Sequence, residues 1–61
     1  MPLPYSESEQ KDIFQKLVTL QDQGTPVPQS RQQIADQFNL SLDQAIEIER
    51  NGVSAKWPPL S

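Results

Sequence analysis

The sequence predicts an all-α fold: one small three-helix bundle, with helices over about 7–23, 31–38 and 42–51, followed by an extended Trp-Pro-Pro tail. Three observations predict it. Ser6-x-x-Glu9, Ser30-x-x-Gln33 and Ser41-x-x-Gln44 all have the capping-box spacing that marks a helix start. Ile13, Phe14, Leu17, Val18 and Leu20 recur at helical spacing. Gly24, Asn39 and Gly52 stand where each helix has to stop.

Taken in order, Met1 to Tyr5 alternates Pro with Leu and Tyr. Proline removes amide donors and favours extended backbone, so this is a flexible arm whose Leu3 and Tyr5 can fold back onto the core. The first helix starts at the Ser6 cap, with Glu7, Glu9 and Asp12 near the positive end of its dipole. Gly24 supplies the left-handed stop and Pro26 forbids continuation. The connector Thr25 to Gln29 is stiff, and Val27 between two prolines is expected to plug the core from the loop.

Ser30 is expected to cap the second helix, whose inward face is Ile34, Ala35 and Phe38. Asn39 tolerates the left-handed backbone of a tight turn. Leu40 follows as an apolar anchor, and Ser41 caps the third helix, which buries Ala45 and Ile48. Gly52 is expected to end that helix, with Val53 touching Ile48 across the stop. Residues 53–61 then form the tail, in which Pro58 and Pro59 rule out further helix.

The totals narrow the function. Sixty-one residues make one domain, and a chain this short buries only about 60% of its unfolded surface. With no cysteine and no histidine, disulfides and histidine-based metal sites are excluded. The common nucleophile–base pairs cannot be built either. Asp36 and Glu47 fall at the ends of a calcium-loop frame, but Phe38 and Leu40 occupy its ligand positions. The expectation is a non-enzymatic protein without cofactor, metal or small-molecule substrate. Apolar runs fall far short of the roughly 20 residues of a membrane span, and the N-terminal stretch has no signal-peptide pattern, so a cytoplasmic location is expected. Eight acids against five bases give a net charge of −3. That argues against a general electrostatic grip on nucleic acid.

The segment Arg31 to Arg50, RQQIADQFNLSLDQAIEIER, resembles the helix-turn-helix of bacterial repressors and of the promoter-reading region of sigma factors. The pattern wants a small residue on the inner face of its first helix, where Ala35 stands, with apolar neighbours, here Ile34, Phe38 and Leu40. Asn39 replaces the usual turn glycine, and Ala45 and Ile48 supply the inner face of the second helix. The resemblance implies that this second helix is the reader, entering the major groove while the first crosses the phosphates. Carried over by position, the reading surface is Ser41, Leu42, Asp43, Ile46, Glu47 and Arg50, with Ser30, Arg31 and Gln32 near phosphate.

Two functions follow. The resemblance favours a DNA-related regulator, acting as a dimer or with a partner protein, and this is the preferred expectation. The charge favours a protein-interaction adaptor, because Asp43 and Glu47 lie one turn apart and repel phosphate, and Arg31 and Arg50 are the motif's only bases. In that alternative, Leu42, Ile46 and Trp57 are presented to a partner protein. Cover of Leu42 and Ile46 by Val53, Trp57 or Leu60 returning along the domain is the favoured reading. Left uncovered, they form an apolar ridge of the kind that binds protein.

Overall fold

The computed structural model describes residues 4–58 and 60. Three helices, α1 (Glu7–Asp22), α2 (Val27–Phe38) and α3 (Leu42–Ala55), each pack against the other two. Their inward faces bury Ile13, Phe14 and Leu17 of α1, Ile34 and Ala35 of α2, and Ala45 and Ile48 of α3. Leu40 from the α2–α3 turn and Trp57 from the tail complete this core.

All three helices stop by the same device. A residue with positive φ ends the helix, and the amide of the next residue reaches five positions back. After α1, Gly24 (φ 97°) is followed by Thr25, which donates to the Leu20 carbonyl at 3.1 Å. After α2, Asn39 (φ 56°) is followed by Leu40, which donates to the Ala35 carbonyl at 2.8 Å. After α3, Lys56 (φ 54°) is followed by Trp57, which donates to the Gly52 carbonyl at 2.9 Å. Six-to-one closure of this type satisfies orphan carbonyls and turns the next residue inward. Here it delivers Leu40 and Trp57 into the core.

The starts at Ser6 and Ser41 are the expected reciprocal boxes: each serine hydroxyl accepts from the amide three residues on, and the Glu9 or Gln44 side chain accepts from the serine amide. The third expected start is corrected. α2 begins at Val27, with Pro26 as its cap residue and no side-chain cap. Pro28 sits in the first turn, where its missing donor costs nothing and its fixed φ already suits a helix. Ser30 is therefore one turn inside the helix. Val27 does not plug the core; it is exposed at the helix end.

α3 is also longer than expected. Gly52 does not end it; the helix runs on to Ala55 and Gly52 is buried within it. Val53 is accordingly exposed and does not form the apolar contact of a stop. The ring of Phe14 occupies the space where a Cβ on residue 52 would stand, so this glycine serves close approach, not termination.

At the N-terminal end, the Tyr5 hydroxyl donates to the Phe38 carbonyl at 2.7 Å and its ring meets Phe38 edge-on. The expected fold-back of Leu3 and the run through Pro59 lie outside the described residues.

Lys56 offers a direct check on the third stop. A β-carbon in the left-handed region costs roughly 1–2 kcal/mol, partly offset by the extra freedom glycine has in the unfolded chain. Lys56→Gly is expected to stabilise the domain by about 0.5–1 kcal/mol, read as a higher Tm by circular dichroism. A lower Tm would contradict the left-handed stop.

Candidate functional site

The ten residues singled out from the sequence divide in the structure. Ser30 leaves the candidate surface entirely. Its hydroxyl is fully buried, donating to the Val27 carbonyl at 2.7 Å and accepting from Gln21 Nε2 at 3.2 Å. A group enclosed in this way cannot touch a phosphate. The cause is the earlier start of α2, which rotates Ser30 inward with Ile34.

Arg31 is engaged within the domain. Its Nε donates to Glu49 Oε1 at 2.8 Å, and Glu49 Oε2 accepts from Gln21 Nε2 at 3.1 Å. This network ties α1, α2 and α3 together. Glu49 is its hub, a role the sequence reading missed. The available signal was weak: with Ala45 and Ile48 inward, position 49 falls on the edge of the buried face.

Trp57 is corrected from partner anchor to core residue. Only 8% of it is exposed, and its ring meets Phe14 edge-on with centroids 6.1 Å apart. It therefore packs on Phe14 of α1 and, among the described residues, leaves Leu42 and Val53 of α3 exposed. Leu60, whose amide donates to the Trp57 carbonyl at 2.8 Å, is exposed. Gln32 is exposed and donates to Asp36 within α2. Ser41 is exposed, with its hydroxyl accepting from the Gln44 amide as the cap of α3.

What remains is one surface of α3, formed by Leu42, Asp43, Ile46, Glu47 and Arg50. The expected cover of Leu42 is absent, since it is 45% exposed, while Ile46 is half-buried. Val53, 57% exposed, joins them. At about 100° per residue, Leu42, Ile46 and Val53 fall within roughly 40° of one another and make one apolar flank. A helix ending at Gly52 leaves Val53 off this face; carried through that glycine, the helix reveals the spacing.

Beside this flank lie Asp43, Glu47 and Arg50, all exposed. Asp43 in the first turn faces the positive end of the α3 dipole, which favours its charge. Glu47 and Arg50, three residues apart, form no ion pair with each other. The ion pairs among the described residues are Lys11–Glu7 and Arg31–Glu49. The remaining cations do not gather into a stripe: Lys16 lies over the Phe38 ring at 5.0 Å, and Lys56 sits beyond the end of α3.

No helix among the described residues is long and apolar enough to cross a membrane. Comparison of the chain with protein-family models, with curated proteins and with solved structures finds no match, so the α3 surface stands on its own geometry.

Proposed function

We propose that this chain is a non-enzymatic binding module of helix-turn-helix form that uses the outer face of its last helix to dock protein, not to read DNA. The form is supported by the closed turn at Asn39 and Leu40 and by small Ala35 and Ala45, buried in the packing of α2 and α3. The choice of protein over DNA is carried by one observation. The face that a DNA reader turns to the groove bears exposed Leu42 and Val53 beside half-buried Ile46, and two acids against the single base Arg50. Phosphate neutralisation needs several cations converging on one surface, and Arg31 is drawn off to Glu49. Apolar side chains bordered by charge suit the centre and rim of a protein interface.

The test uses Leu42→Asp and Val53→Asp. Both residues are exposed, so each change is expected to move stability by no more than about 0.5 kcal/mol, yet the pair should abolish photo-cross-linking from a benzophenone side chain placed at Ile46. Anisotropy of a labelled random duplex at low salt should show no binding with tens of micromolar protein. Salt-sensitive duplex binding that Arg50→Glu removes would return the face to DNA.

A further inference from the structure

Resting on the reading of this face as a protein-docking surface, we infer that its partner is a second copy of the chain. The two α3 helices lie antiparallel across a two-fold axis that passes beside Ile46 and Glu47. The inference comes from a symmetry written along the helix. Asp43 and Arg50 are exposed, oppositely charged, and equally far from the Ile46–Glu47 midpoint. Seven residues separate them by about 10 Å along the helix, and they point within roughly 20° of the same direction.

A half-turn about that midpoint sets Asp43 of one copy against Arg50 of the other, and the same pair forms again on the far side of the axis. It brings Ile46 onto its own counterpart, as a self-complementary two-fold interface requires. It also carries Leu42 to within two residues of the level of Val53, about 3 Å along the helix. Those two are the exposed large apolar residues of α3, and each is then covered by the other. Glu47 lies about 100° round the helix from the apolar flank, so it turns toward water. A parallel pairing fails on the same residues, because it opposes Asp43 to Asp43 and Arg50 to Arg50, and like charges across a contact are unfavourable.

Net charge of −3 per copy opposes association, and one helix face per subunit belongs to the small, weak class of interfaces. A concentration-dependent dimer follows, best sought at high concentration. Sedimentation equilibrium of the full chain between about 10 µM and 1 mM should move from 6.9 kDa toward twice that mass. Asp43→Arg and Arg50→Asp each oppose like charges twice per dimer, so each should weaken it at least tenfold. The double variant Asp43→Arg/Arg50→Asp restores both pairs and should return to within about threefold of the parent. Because the chain has no cysteine, Ile46→Cys provides an independent readout: under mild oxidation it should form covalent dimers, whereas Ser54→Cys, well off the axis, should not.

A monomer throughout that range, or a dimer indifferent to both charge reversals, overturns the inference. If the monomer result is accompanied by a cross-link from Ile46 to a different protein, lost with Leu42→Asp and Val53→Asp, only the identity of the partner falls. If neither a dimer nor any such cross-link forms, the docking role of the face falls with it.

Discussion

Trp57→Ala is expected to leave the domain largely unfolded at room temperature. Truncating a buried aromatic residue costs about 3–5 kcal/mol, and a single core of this size supplies about 3–5 kcal/mol in total. The two quantities cancel. Trp57 is only 8% exposed and lies against Phe14, which is 1% exposed. Its removal opens the middle of the core and uncovers Phe14, although the residue itself lies beyond the last helix. Circular dichroism should show the helical signal lost or its melt no longer cooperative, while Trp57→Phe should fold with a reduced Tm. Because Trp57 is the only tryptophan, the parent's emission should be that of a buried indole and should shift red on unfolding. A Trp57→Ala protein melting within a few degrees of the parent would mean that the tail does not hold the core.

The fate of Trp57 marks where sequence reading stops. Helix starts at Ser6 and Ser41 were legible because a capping box is local: the bonding partners lie three residues apart, and both boxes form. Ser30-x-x-Gln33 has the same spacing without forming a box, because Pro28 begins α2 earlier and draws Ser30 into the Gln21 network. Gly24 and Asn39 were legible as left-handed residues. Lys56 was not, since nothing in its chemistry prefers that backbone; the amide of Trp57 reaching Gly52 holds it there. Whether an aromatic residue in a proline-rich tail packs inward or faces a partner depends on a vacancy in the α1–α3 packing. That vacancy is a tertiary fact.

The candidate surface was legible in the same uneven way. Leu42, Asp43, Ile46, Glu47 and Arg50 follow from helical phase alone once Ala45 and Ile48 are set inward, and the structure keeps these five on one side of α3. Ser30 and Arg31 were assigned from their place in a resemblance, and both are consumed by contacts inside the domain. Phase within one helix therefore transferred, whereas surface roles that depended on how α2 lies against its neighbours did not.

Gly52→Ala sets two quantified effects against each other in α3. Alanine is the better helix former by about 0.8–1.0 kcal/mol, so a sequence argument alone expects stabilisation. The structure opposes it. A β-carbon there would overlap Cδ1, Cε1 and Cγ of the Phe14 ring. These atoms cannot swing clear like the end of a flexible chain, because Phe14 is almost wholly buried and its ring is braced by Trp57. Overpacking of a tight core typically costs about 1–3 kcal/mol, and an overlap with three ring carbons belongs toward the top of that range. The net expectation is a loss of about 1–2 kcal/mol, which for a domain of this size lowers Tm by roughly 4–16 °C. A double-mutant cycle with Phe14→Leu isolates the clash. Phe14→Leu is destabilising alone, yet the double variant should be more stable than the two single losses added together, since leucine vacates the ring's position. If Gly52→Ala instead raises Tm, helix propensity has won, and Phe14 and α3 do not approach as closely as this packing requires.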